Sequence, residues 1–266
     1  MTDTHPHTSG RSDNSPGVAL VTGAADRIGA AIARRLAAEG WAVLIHYRSS
    51  GDKADALADE IRAAGGRADS VQADLADRDQ RRGLIAAAAS PFGPLTLLVN
   101  NASMFSKDAA TDLDEALWDA HFAVHAEAPA FLARDFAAQL PDGSAGNIVN
   151  IIDERVLDLS PAHFSYTLSK SVLWTMTRTL AQSMAPRIRV NAIGPGPAVA
   201  PPGVSQAAHD KRNAELPLGG AAGAEGLADG VMAILGLNTM TGQMIALDGG
   251  EHLEWPERRG PTPRQQ

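Results

Sequence analysis

The chain has 266 residues, 44% of them hydrophobic, which is enough for the core of one α/β domain, and it carries a net charge of -8. Interspersed acidic and basic residues at that balance argue against a nucleic-acid partner and against an anionic membrane surface, and favour a small-molecule partner. With no cysteine, a disulfide framework, a thiolate metal site and a cysteine nucleophile are all excluded.

The first 16 residues hold no apolar run and are expected to be a disordered tail, with His5 and His7 solvated rather than metal-binding. No stretch reaches the length of a membrane span, so a soluble, cytoplasmic protein without a metal site is expected. From Val18 short β-branched runs alternate with Ala-rich helical segments. Strands are predicted at VALVTG, WAVLIHY, ADSVQAD, LTLLVNN, GNIVNII, RVNAIG and MIALDGG. Helices are predicted at 30–40, 53–65, 77–89, 113–138 and 165–184. The alternation predicts a Rossmann-like, doubly wound parallel sheet of about seven strands with helices on both faces, forming a single domain over 17–256. Residues 195–220 are rich in Pro, Gly and Ala and read as an irregular loop, either a lid over the site or a disordered excursion. The end from Glu257 reads as a second tail.

The stretch NIIDERV, at 150–156, ends a buried strand on a carboxylate. Asp153 is either past the strand in solvent or held at the mouth of a site beyond the strand's carboxyl end. The turn VTGAADRIG follows the first strand and opens the first helix, where backbone N–H groups and the helix dipole suit a pyrophosphate. Its spacing resembles the TGxxxGxG of short-chain dehydrogenase/reductases, matched by Thr22, Gly23 and Gly29, with Arg27 at the middle glycine and Ile28 beside it. The second strand ends in His46, Tyr47, Arg48, Ser49 and Ser50, without an acid for the ribose hydroxyls of NAD. Arginine with hydroxyl donors suits the 2′-phosphate of NADP(H), the expected cofactor. In this family Asp74 and Leu75, closing the third strand, are expected near the adenine.

Tyr166 and Lys170 in SYTLSK stand one helical turn apart, and a neighbouring ammonium can stabilise a phenolate. The order of the glycine turn, Asn100-Asn101-Ala102, Asp153, YxxxK, GPGP at 194–197 and LDGG at 247–250 covers nearly the whole ordered chain and strengthens the resemblance. Asp153 lies where the family has its serine, thirteen residues before the tyrosine, and His125 where it has an asparagine, ahead of Pro129. Those replacements fit either a dead enzyme or a subgroup. TGxxxRxG, HYR, NNAS followed by an aromatic, and Asp thirteen before Tyr resemble pteridine reductases and dihydromonapterin reductases.

That resemblance implies an NADPH-dependent reduction of a pterin C=N bond. Tyr166, Lys170 and Asp153 would handle the proton, and His125 would either support Lys170 through water or be packed. A pterin would stack on Phe105, unless Phe105 is only core, and would meet Ser103, Gly196 and Pro197. The cofactor would also touch Asn101, Ala102, Ser103, Pro195 and Gly196. A homotetramer is implied. The competing readings are a ketone or 3-oxoacyl reductase and a non-catalytic NADP(H)-binding sensor.

Overall fold

A computed structural model describes residues 16–201 and 203–253. The tails expected at 1–16 and 257–266, Pro16 apart, lie outside the described residues, as do His5 and His7.

Seven parallel strands, β1 (Val18–Val21), β2 (Ala42–Tyr47), β3 (Arg67–Gln72), β4 (Leu97–Asn100), β5 (Gly146–Ile151), β6 (Ile188–Pro195) and β7 (Met244–Leu247), lie in the order β3-β2-β1-β4-β5-β6-β7. Strand side chains alternate between faces, and the two cores divide accordingly. Val21, Ile45, Val99, Val149 and Ile193 face one helical layer. Its helices are α1 (Arg27–Ala38), α2 (Gly51–Ala63) and α8 (Gly223–Gly236). Leu20, Leu44, Leu98, Ile148 and Val190 face the other. There lie α3 (Arg78–Ala89), α5 (Ala128–Gln139) and α6 (Phe164–Met184). The chain reverses direction across the sheet between β1 and β4, the crevice in which ligands of such sheets bind.

The structure departs from the sequence reading in three places. The stretch 195–220 is not irregular throughout, because α7 (Gln206–Ala214) forms within it. Ser205 caps α7 by accepting from the Ala208 N–H at 3.3 Å. The sequence reading also passed over α8, whose Leu227, Val231 and Ile234 bury one helical stripe.

The helix expected at 113–138 is observed as α4 (Glu115–Phe122), a π-helical turn at Ala123–Glu127, and α5. Pro129 has no N–H to offer the His125 carbonyl four residues earlier, so a regular ladder cannot run through this point. The Ala128 N–H bonds instead to the Ala123 carbonyl, five residues back. Among the described residues no helix is long and apolar enough to cross a membrane. Likewise among them, no cluster of three or more His, Asp or Glu is placed to hold a metal ion.

Candidate active site

The glycine turn is locked from three strands. Gly23, at φ 61, lies so close to the chain after β4 that a Cβ would come within 2.8 Å of Ala102 Cα. A Cβ on Gly29 would meet the Gly23 carbonyl at 2.4 Å and Asn101 Nδ2 at 2.6 Å. Thr22 Oγ1 accepts from the Asn101 and Ala102 N–H groups at 2.9 and 3.0 Å. The Asn101 amide donates to the carbonyls of Thr22 and Gly23. These residues shape the turn, and Ile28 packs partly buried beneath it.

His46, expected at the cofactor, is placed behind the glycine turn. It is buried, its Nδ1 accepts from the Gly23 N–H at 3.0 Å, and its Nε2 donates to the Ala73 carbonyl at 3.0 Å. Burial lowers its pKa to about 4, so the ring is neutral, and both nitrogens are occupied by backbone. His46 is a strut between the glycine turn and the end of β3. Beyond it Tyr47 is half-buried, while Arg48, Ser49 and Ser50 are exposed at the start of α2, whose N-cap Ser50 makes no side-chain capping bond. Asp74 lies beside this end, since the preceding Ala73 N–H donates to the Tyr47 carbonyl at 3.1 Å. Its Oδ1 accepts from the Ala76 N–H, and Leu75 is buried.

Arg27, expected at the phosphate on this side, turns the other way. Its φ of 55 is left-handed, uncommon for a side chain of this size. Its guanidinium donates to the carbonyls of Val199 at 3.4 Å and Ala200 at 3.0 Å. That loop leaves β6, four places along the sheet from β2. Pro195 ends β6, the Gly196 N–H donates to Leu247, and the Pro197 carbonyl accepts from Asn213 on α7 at 3.2 Å.

Asp153 is past the strand and still part of the site. β5 ends at Ile151, and Asp153 caps a 3-10 turn, Glu154–Val156, through Oδ1 to the Arg155 N–H at 3.0 Å. Its Oδ2 accepts from the Tyr166 hydroxyl at 2.6 Å, and its side chain is 19% exposed. Burial, the Asp153 charge and the bond to it hold the Tyr166 pKa well above its ordinary value, with Arg155 and Ser103 opposing. The phenol is therefore a proton-bearing donor here. Lys170, buried one turn on, donates to the Ile151 carbonyl at 2.9 Å and lies 5.7 Å from the Tyr166 ring centre. Burial brings its pKa down to about 8.

His125 supports the site without bonding to Lys170. Its Nε2 faces the Ser103 hydroxyl at 3.0 Å and the Met104 N–H at 3.2 Å, a backbone donor that assigns the proton to Nδ1. Nδ1 donates to Ser169 Oγ at 2.8 Å, and Ser169 donates to the Tyr166 carbonyl at 2.7 Å. Burial and the Lys170 charge hold the imidazole neutral. Phe105 is 42% exposed and so is not core. Its ring stacks on His163 at 4.2 Å, stands edge-on to Tyr166 at 4.9 Å, and has the Arg155 guanidinium 5.7 Å from its centre.

Sequence reasoning missed Ser169, His163, Arg155 and Glu154. Ser169, inside the YxxxK span and three residues after Tyr166, was the most findable. Glu154 is buried, and burial together with the Asp153 and Glu251 charges pushes its pKa up to about 9. A neutral acid therefore underlies the Asp153 turn.

The short chain dehydrogenase family profile matches residues 17–211. The chain resembles the crystal structure of FolM alternative dihydrofolate reductase 1 from Brucella canis complexed with NADP, with a TM-score of 0.89 and 47% identity. That likeness covers 95% of this chain and 98% of the other. An uncharacterized oxidoreductase of Methylorubrum extorquens is 41% identical over 180 residues, 67% of this chain and 72% of that protein. The 3-oxoacyl-(acyl-carrier-protein) reductase of Staphylococcus aureus is 33% identical over 179 residues, 67% of this chain and 73% of its own.

Proposed function

The chain belongs to the short-chain dehydrogenase family of oxidoreductases, and on that premise we propose that it is an NADPH-dependent reductase of a pterin C=N bond. The observation that carries this reading is the 2.6 Å bond from the Tyr166 hydroxyl to Asp153, set beside the exposed ring of Phe105. A family member with serine at 153 would present a hydroxyl there. A carboxylate instead offers an ionisable partner suited to a basic ring nitrogen. The FolM neighbour's description as a dihydrofolate reductase complexed with NADP supports the same reading.

The donor set fits the phosphorylated cofactor. Arg48 with Ser49 and Ser50 would hold the 2′-phosphate at the start of α2, where β2 is followed by an arginine and two serines rather than by an acid. Thr22, Gly23 and Gly29 would face the pyrophosphate, Asp74 and Leu75 the adenine, and Asn101, Ala102, Pro195 and Gly196 the nicotinamide half. NADPH, when bound, would supply the hydride for the ring carbon. Tyr166 gives its phenol proton to the ring nitrogen, so that C=N becomes CH–NH, and is refilled from Asp153. Asp153, partly exposed, takes its proton from water. Asp153 takes up that proton before the Tyr166 proton leaves and the two transfers run together, so that no phenolate stands beside a carboxylate, the state that the raised Tyr166 pKa penalises. Phe105 would stack the pterin, with Ser103 and Pro197 at its polar edge. Lys170 keeps positive charge below about pH 8 near the phenol and fixes the end of β5.

The kinship with a 3-oxoacyl reductase favours a second reading, reduction of a ketone or 3-oxoacyl carbonyl. NADPH oxidation measured against dihydrobiopterin, dihydromonapterin, dihydrofolate and a ketone panel separates the two. Dihydropterin turnover is expected; turnover of ketones alone overturns the first. A homotetramer is part of the proposal, supported by exposed Phe131 on α5 and by Leu168 and Val172 on α6.

A further inference from the structure

The loop that carries Ser103 and Phe105 is fastened to the helix that carries Tyr166 and Lys170. His163, the N-cap of α6, has left-handed backbone at φ 58 and caps nothing with its side chain. Asp108 fills that place from 57 residues away, with both carboxylate oxygens on the Ser165 N–H, at 3.1 and 3.2 Å. A carboxylate there also meets the favourable end of the helix dipole. The Ser165 hydroxyl donates to Asp108 as well, and its oxygen accepts from His121 Nδ1 at 2.7 Å. The reverse links come from His163. Its N–H donates to the Asp108 carbonyl at 3.0 Å, its Nδ1 donates to the Ser106 carbonyl at 3.1 Å, and its ring lies on Phe105.

We propose that Asp108 and His163 are positioning residues, a clasp that sets the stacking face of Phe105 against the Tyr166 hydroxyl and so fixes the depth at which a planar ring enters. The consequence for substrate rests on the pterin reading; the clasp itself does not. Loop and helix start should open as one unit, because each supplies the other's missing partners. Phe105 could otherwise swing with its loop while Tyr166 stayed on α6.

The test is hydrogen exchange and steady-state kinetics on the full chain carrying Asp108→Ala, Asp108→Asn or His163→Asn, the last keeping a residue that tolerates left-handed backbone. In Asp108→Ala, exchange should rise together in 103–112 and 163–170 and stay unchanged in β1 to β3. KM for a dihydropterin should rise about tenfold, the scale of a lost helix cap, with KM for NADPH within about twofold. Asp108→Asn, which keeps an acceptor, should recover most of both, and His163→Asn should repeat the paired exchange. Faster exchange at α6 alone, an even rise across the protein, or equal losses for NADPH and pterin would overturn the proposal. If the unmodified protein turns over no pterin, the pterin reading fails and the exchange pattern still decides the clasp.

Discussion

Replacing Asp153 by Asn removes the charge and one of its two acceptor oxygens. The amide keeps one oxygen, which can accept from the Arg155 N–H and so preserve the 3-10 turn at 154–156, while its NH2 replaces the oxygen that accepts from the Tyr166 hydroxyl. Two of the three causes that raise the Tyr166 pKa, the Asp153 charge and its charge-assisted bond, are lost, and burial alone remains. A hydrogen bond to a charged group is worth about 1.5–3 kcal/mol, which is about one to two pH units of titration. The chain has only two tyrosines, so in a Tyr47→Phe background the near-ultraviolet tyrosinate absorbance reads Tyr166 alone. Its onset should move to lower pH by that amount in Asp153→Asn. Dihydropterin kcat should fall about 10²- to 10⁴-fold, the usual scale of acid-base assistance, because the amide cannot refill the phenol. An unmoved tyrosinate titration together with wild-type kcat would refute the reasoning and leave Asp153 a capping residue.

The other predictions concern the frame and the cofactor end. Arg48→Ala should weaken NADPH by about 1.5–3 kcal/mol and NADH hardly at all, whereas Arg27→Ala, which frees the loop at 199–200, should weaken both; titration calorimetry distinguishes them. His46→Phe strands the Gly23 N–H and the Ala73 carbonyl, at about 1–3 kcal/mol for each buried group left unpaired, and should lower Tm and the affinity for both dinucleotides. Glu154 has a raised folded pKa, so its stabilising share is whole below about 4.5, its ordinary value, and is lost as pH climbs to about 9. The loss is at most about 1.4 kcal/mol per pH unit. Denaturant unfolding of Glu154→Gln against wild type should show a gap that widens with pH across that window; a constant gap argues against a neutral buried acid. Light scattering should give a tetramer at micromolar concentration, and a monomer would refute that assembly.

The sheet was legible because its inner strands β1, β2, β4, β5 and β6 are buried on both faces and read as apolar runs between amphipathic helices. Tyr166 and Lys170 were legible because the spacing of a helix puts them on one side. What escaped depends on partners distant in the chain. His46 looked like a strand-end ligand, since nothing local shows that its nitrogens meet groups 23 and 27 residues away. Arg27 stood in a phosphate turn, and its reach of 173 residues to Ala200 has no sequence trace. The π-turn had a signal in Pro129. α8 had one too, in Leu227, Val231 and Ile234, hidden among glycines that lower helix propensity. α7 is polar almost all round, with only His209 buried, so its sole clue was the Ser205 cap.

The most direct measurement of the central claim follows the hydride itself. NADPH carrying deuterium at its transferable position is consumed with a dihydropterin, and the product is examined by NMR and mass spectrometry. One deuterium should lie on the ring carbon of the reduced C=N bond for each NADPH oxidised, and the label should vanish from the pterin in Tyr166→Phe. NADPH oxidised with no deuterium in the pterin, while a 3-oxoacyl substrate acquires it at the carbinol carbon, would contradict the account.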